Sequence, residues 1–353
     1  MNKQPLISVI APAYNSEQYI CDLIDSFLAQ SYKNFELVIV DDCSLDRTVE
    51  KVESYKDARI KLVKHNWNKG VNEALNTAFD NVSGEYVAFA AGDDLVKPTY
   101  LEHAVEELQK NTNIGVLYTS LIVTDEFGKV MKSQPKWAMQ KKGSRASLLN
   151  KMFYEENAIL SPGMIVKKQC LDDFRPIDIS LSIYQDYFLH VNLLIRTEIA
   201  FSPEAEYYYR RSAGSISARK DDYWRKQLET PRLMDVFLQI SDLNFLNEVL
   251  QNNNLDIKYK ELIPYYIGMS ALRSPKSERQ KWGYRTILEF ISDATRYEKL
   301  HELTGFSYKN LLDLSLESWH SCKRKSRRKR KIVWMVVLVM IFLLAFVWKI
   351  VVL

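Results

Sequence analysis

Four short apolar runs alternate with helical patterns through the first ninety residues, and that alternation leaves a chain few folds to choose from. The runs span residues 6–12, 35–40, 60–64 and 85–90. Between the first two, Tyr19, Ile20, Leu23, Ile24, Phe27 and Leu28 recur at helical spacing, with Ser16 as the expected N-cap. Residues 44–55 and 71–81 read as two further helices. Strand, helix, strand, helix at this spacing is the pattern of βαβ units and a parallel sheet. The runs are apolar almost throughout, as a sheet covered on both faces requires. The expected class is α/β, a Rossmann-like, mostly parallel sheet flanked by helices.

In such sheets ligands bind beyond the carboxyl ends of the strands. Polar residues gather there: Tyr14 and Asn15 after the first run, Asp41 and Asp42 after the second, Asp93 and Asp94 after the fourth. Adjacent carboxylates repel. A hard divalent cation, Mg²⁺ or Mn²⁺, shared with substrate phosphate oxygens relieves the repulsion at Asp93 and Asp94. A solvated turn before a helix beginning near Pro98 is the alternative. No Gly-x-Gly-x-x-Gly follows the first strand, and the chain has no Gly-x-x-x-x-Gly-Lys-Ser/Thr. Neither a nicotinamide dehydrogenase nor a P-loop nucleotidase is supported.

Taken in order, four stretches resemble the family 2 glycosyltransferases of the GT-A fold. They are residues 8–15 (Ser-Val-Ile-Ala-Pro-Ala-Tyr-Asn), residues 40–48 (Val-Asp-Asp-Cys-Ser-Leu-Asp-Arg-Thr), residues 68–70 (Asn-Lys-Gly) with Asn76, and residues 83–94 ending in Gly-Asp-Asp. The resemblance covers residues 6 to about 217. It implies a nucleotide-diphospho-sugar donor, most often UDP-linked, and metal-assisted, inverting transfer of a hexosyl or N-acetylhexosaminyl group. Pro12, Tyr14, Asn15, Asp41, Asp42, Lys69 and Asp93 then match the nucleotide-sugar site, and Asp93 and Asp94 the metal, with the direct ligand left open between them.

In the second half, residues 161–168 resemble the strand beneath the acceptor. Residues 183–189 resemble the Glu-Asp motif, with Gln185 in the Glu place and Asp186 kept. Inverting transfer needs one carboxylate to take the proton of the attacking hydroxyl, and the resemblance gives that part to Asp186. Residues 207–217 resemble the strand and loop over the diphosphate, where Arg210 and Arg211 are expected to pair with phosphate oxygens. The sequence departs from the family pattern at Ala91, Leu75 and Ser212, which stand where many members have Asp, Arg and a metal-binding His. The Gln-x-x-Arg-Trp of processive synthases is missing, so one sugar is expected per encounter.

Charge divides the chain unevenly. The net charge is +4, yet residues 323–331 hold eight basic side chains, and residues 1–322 alone come to −5. Residues 332–348 carry no charge, and with residues 349–353 the apolar segment reaches 22 residues, about 33 Å as a helix. Trp334 and Trp348 stand near its ends. A single C-terminal transmembrane helix is expected, with the body on the cytoplasmic side of a bacterial inner membrane and the basic tract on anionic lipid headgroups. The four cysteines are widely spaced, which suits free thiols in a reducing compartment.

The expected organisation is a catalytic domain over residues 1–220, a helical region over 221–322, the polybasic tract and the membrane helix. The anchor suggests a saccharide or lipid-linked acceptor in cell-surface polysaccharide or glycolipid synthesis. A non-catalytic sugar-nucleotide scaffold is the alternative, supported by Ala91, Leu75 and Ser212. Nucleic acid is not an expected partner, because the acidic body opposes it. The oligomeric state is left open.

Overall fold

The computed structural model describes residues 4–135, 143–211, 223–251 and 255–314. The expected tract at 323–331, the membrane segment at 332–353 and Ser212 lie outside the described residues. Among the described residues no helix is long and apolar enough to cross a membrane.

The first half follows the expected alternation: β1 (Ile7–Ala13), α1 (Ile20–Leu28), β2 (Phe35–Asp41), α2 (Thr48–Ser54), β3 (Ile60–Lys64), α3 (Val71–Phe79) and β4 (Tyr86–Phe89). Helix α2 starts four residues later than expected, and a turn at residues 17–19 precedes α1 in place of a cap at Ser16. The residues before α1 and α2 are held instead by a mutual lock. Asp46 accepts from the Thr48 and Glu17 backbone N–H groups, and Thr48 Oγ1 accepts from Ser16 N at 2.8 Å. Ser16 therefore does not cap α1. Its own hydroxyl leans back to the Tyr14 carbonyl at 3.5 Å.

After β4 come β5 (Leu95–Val96), α4 (Tyr100–Lys110), β6 (Ile114–Thr124), α5 (Arg145–Tyr154), β7 (Ile165–Lys167), α6 (Gln169–Asp172), α7 (Gln185–Arg196) and β8 (Glu198–Arg210). One eight-stranded sheet takes the order β3-β2-β1-β4-β7-β6-β8-β5. Strands β1 to β4 are parallel, as is β6 with β8, but β7 runs antiparallel to both β4 and β6, and β5 antiparallel to β8. The sheet is mixed, with four parallel pairings and three antiparallel ones. Local cause is visible at the turn before β7. Gly163 N donates to the Phe89 carbonyl (3.0 Å) and Phe89 N to the Met164 carbonyl (2.9 Å), which locks β7 to run back along β4. Gly163 is obligatory there. Its φ is +75°, and a Cβ would stand 2.7 Å from Tyr207 and Thr119. Strand β8 slips register against β6 between Ser202 and Glu206, and this bulge brings its second half across to β5.

The core lies between the sheet and its helices, with Ile7, Val9, Leu23, Phe27, Leu37, Tyr100, Leu117 and Tyr207 all buried. Contacts divide the chain into two compact units, Met1–Ile263 and Pro264–Leu353. Helices α8 (Tyr223–Phe237) and α9 (Leu243–Val249) belong to the first, packing on α7 and α5. The second contains α10 (Ile263–Ala271, from Pro264 on), α11 (Ser277–Ile291) and α12 (Ala294–Thr304). In it Tyr265, Tyr266 and Trp282 are core residues, while Tyr284 is half-buried.

Candidate active site

The loops after β1 and β2 are tied to each other at the carboxyl edge of the sheet. Asn15 N donates to Ser44 Oγ (2.9 Å), and Leu45 N donates back to Asn15 Oδ1 (2.8 Å). Asn15 and Cys43, the two non-glycine residues of positive φ among those described, sit in these two loops. Such backbone costs on the order of 1–3 kcal/mol per residue and gathers at functional sites. Beside the tie, Tyr14 is 46% exposed. Asp41 is buried. Its Oδ2 accepts from Ser44 N at 3.0 Å, while Oδ1 has no hydrogen-bond partner among the described residues. Pro12 holds this edge closed through its carbonyl, which accepts from Gly92 N.

Asp42, expected among the donor contacts, is given to the protein itself. Its Oδ1 faces Lys69 N and His65 Nδ1, and its Oδ2 faces Gly70 N, all at 2.8 Å. His65 is clasped in turn by Thr77 Oγ1 at 2.9 Å. The carboxylate thus shapes the 65–70 loop and leaves the half-buried Lys69 at its tip. No sequence pattern announces His65, whose neighbours are polar loop residues.

The two aspartates after β4 differ sharply. Asp94 is fully buried and accepts from Tyr207 Oη and from Arg210 N, each at 2.8 Å. Burial first, and then the charge of Asp93, push its carboxyl well above the usual range. Both oxygens are occupied by β8, so Asp94 serves as a clamp between strands and not as an open metal ligand. Asp93 is half-buried, and its carboxylate accepts from no other described residue. Burial raises its pKa, against a lowering by its own N–H and by Arg210.

Arg210 also departs from expectation. It donates through Nε to the Asp93 carbonyl (2.7 Å), through one terminal nitrogen to the Glu126 carbonyl (2.7 Å) and through the other to Asp22 (2.6 Å), lying 4.5 Å from the centre of the Tyr19 ring. At 2% exposed, its guanidinium is taken up in bracing the strand end. Arg211, by contrast, is exposed, its N–H anchored on the Thr124 carbonyl. Among the described residues no group of three or more His, Cys, Asp or Glu side chains is placed to hold a metal ion. One free carboxylate together with substrate phosphate oxygens is nonetheless a donor set that Mg²⁺ or Mn²⁺ accepts, and Asp93 fits it.

Asp186 lies at the start of α7, half-buried, with the hydroxyl of Ser161 hydrogen-bonded to its carboxylate. Burial pushes its pKa up and the Ser161 bond opposes this. The neighbouring Gln185 keeps a buried Oε1 without a partner among the described residues. Ser161 opens the turn that binds Phe89, and Tyr207, packed on that turn at Gly163, reaches Asp94. The Asp186 carboxylate is thereby linked to the same edge as Asp93. Two clamps fix the approach to α7. Asn76 grips both the N–H (2.7 Å) and carbonyl (3.0 Å) of Ile177, and Asn72 donates to the carbonyls of Asp178 and Leu181. Glu229 of α8 then accepts from the N–H groups of Ser182, Ile183 and Tyr184 and from the Ser182 hydroxyl, all at 2.7–3.0 Å. Of the asparagine pair, only Asn76 is picked out by the sequence, as part of the family pattern. Glu229 gave no signal, being one carboxylate on an ordinary helix.

Residues 8–171 match the family described as Glycosyl transferase family 2. The UDP-Glc:alpha-D-GlcNAc-diphosphoundecaprenol beta-1,3-glucosyltransferase WfgD of Escherichia coli is 42% identical over 113 residues, covering 32% of this chain and 44% of its own. An uncharacterized glycosyltransferase of Rickettsia typhi is 32% identical over 204 residues, 57% of this chain and 62% of its own. The chain spans about half the length of the curated relatives it matches. Among solved structures, S. aureus TarS 1-349 in complex with UDP-GlcNAc is similar with a TM-score of 0.59 at 21% identity, over 86% of this chain and 93% of that one. That likeness establishes the fold: an α/β domain of GT-A type with a mixed sheet.

Proposed function

We propose that this chain is an inverting glycosyltransferase that moves one sugar from a nucleoside-diphosphate sugar, UDP-linked, to an acceptor hydroxyl. The observation that carries the donor class is Asp41 Oδ1, a buried acceptor with no partner among the tied donor loops. Such an oxygen suits an imide N–H of a base, as uracil offers, and repels the bare ring nitrogen that cytosine presents at the same place. The exposed ring of Tyr14 beside it offers a stacking face. Lys69, half-buried, and Arg211, exposed, are the cations we assign to the diphosphate.

In the transfer, the acceptor oxygen forms its bond to the anomeric carbon from the face opposite the leaving group. Asp186 takes the hydroxyl proton, and the bond from that carbon to the diphosphate oxygen breaks with its electron pair leaving on phosphate. Asp93 would hold a divalent cation, which supplies charge neutralisation of the leaving diphosphate when bound. The acceptor class we propose is a diphosphate-linked lipid saccharide at the inner leaflet. The name of the WfgD relative, with the basic tract and apolar segment of residues 323–353, supports this.

Thermal unfolding of the protein with UDP, GDP and CMP, each with and without Mn²⁺, tests the donor site. A ligand that binds only the folded state raises Tm by mass action. A rise with UDP that needs Asp41, and is strengthened by Mn²⁺ only while Asp93 is intact, is the expected result. No rise with any nucleotide would overturn the donor reading.

A further inference from the structure

We infer that Tyr118, His190 and Ser161 form a one-way chain of hydrogen bonds that orients the Asp186 carboxylate and favours its ionised form. This rests on Asp186 being the base proposed above. Tyr118 on β6 sets its hydroxyl 3.0 Å from His190 Nδ1, and His190 Nε2 lies 3.1 Å from Ser161 Oγ. Ser161 is bonded to Asp186, one turn before His190 on α7. Tyr118 and His190 are fully buried and Ser161 nearly so.

The direction of the chain follows from counting protons. A carboxylate only accepts, so Ser161 must donate to Asp186. Ser161 Oγ then faces His190 with a lone pair, which requires the proton on Nε2. A neutral imidazole carries one ring proton, so Nδ1 is the acceptor and Tyr118 donates to it. Burial supports each step: it presses His190 down to about 3, keeping the ring neutral, and raises Tyr118, keeping the phenol protonated. Every donor therefore points toward Asp186. A hydrogen bond donated to a carboxylate favours the anion, so a chain whose donors all point at Asp186 offsets part of the rise that burial imposes on this base.

The surroundings add no competing charge. Tyr118 packs on Phe201 of β8 at 5.4 Å, Tyr187 of α7 donates to the Met152 carbonyl of α5, and the Glu229 carboxylate of α8 is held by residues 182–184. No charged side chain is among the causes that shift Asp186 or His190. Sequence reading assigns none of the three this part: Ser161 only opens the 161–168 stretch, and Tyr118 and His190 lie in largely apolar runs.

The test is a ¹³C-carboxyl NMR titration of the full chain labelled at aspartate, with Asp186→Asn to assign the resonance. Ser161→Ala should raise the Asp186 midpoint by about one pH unit, the scale of one hydrogen bond to a charged group. Ser161→Thr, which keeps the hydroxyl, should restore it. His190→Phe should raise it by less, and His190→Gln, which can still donate to Ser161, by least. A midpoint unmoved in both Ser161→Ala and His190→Phe would overturn the inference, and should one variant fail to fold the other decides. UDP release from a UDP-sugar, followed against pH in the same variants, separates the two readings. If the NMR midpoint moves and the acid limb of the rate does not, the chain still governs Asp186 but Asp186 is not the base.

Discussion

At the scale of single residues, neighbouring aspartates have opposite uses. Asp41 keeps an unpaired oxygen, and Asp42 satisfies three donors. Asp41→Asn should weaken UDP binding about 10- to 100-fold by calorimetry, the value of one charge-assisted hydrogen bond, and leave the Tm of the unliganded protein unchanged or higher. Asp42→Ala should show the reverse order, with stability falling by about 1–3 kcal/mol as buried donors lose their acceptor. His190 gives stability a pH dependence whose sign is fixed. Its folded pKa is depressed below the unfolded value, so the unfolded chain binds the proton first. The contribution is whole above the unfolded pKa near 6.5 and is lost as pH falls toward 3, at about 1.4 kcal/mol per unit. Urea titrations at pH 7, 6 and 5 should show that slope in the wild type and lose one proton's worth of it in His190→Gln.

At the scale of elements, α7 is placed by its neighbours. The Glu229 carboxylate meets three consecutive backbone N–H groups at its start, where a helix carries positive partial charge. Glu229→Ala should cost about 2–4 kcal/mol in urea unfolding, since these donors are then left unmet. It should also lower turnover more than donor affinity, because the donor loops do not touch it. Equal losses in kcat and donor affinity would argue that α7 has no separate part in the chemistry. This is also where legibility stopped. Apolar runs bounded by polar residues report β1, β2 and β4 because both faces of those strands are buried, whereas β3 is only partly covered. The mates of Asp94, Arg210 and Glu229 lie 45 to 188 positions away. Nothing local distinguishes an aspartate that will meet a tyrosine hydroxyl in the core from one that will meet a ligand. Hence Asp42, Asp94 and Arg210 were read as ligand contacts, and the structure shows them bracing loops and strands.

At the scale of the whole molecule, residues 8–171 are similar to known glycosyltransferases while the apolar and basic end has only its sequence to speak for it. We expect removal of residues 323–353 to leave transfer to a soluble acceptor analogue intact and to reduce transfer to a vesicle-borne acceptor at least tenfold, as confinement to a surface raises effective concentration. Equal loss on both acceptors would show that the segment acts on the fold and not on placement.

The bulged strand β8 carries a consequence for how the protein is born. Ribosomal synthesis delivers Asp94 more than a hundred residues before Tyr207 and Arg210, the groups that let it be buried. Until then the nascent chain can assemble β1 to β4, but the far side of β4 stays an open, apolar strand edge with an ordinary hydrated carboxylate beyond it. The donor half is therefore finished from its distal end, and a chain arrested between residues 100 and 200 is the form most exposed to aggregation and to chaperone capture.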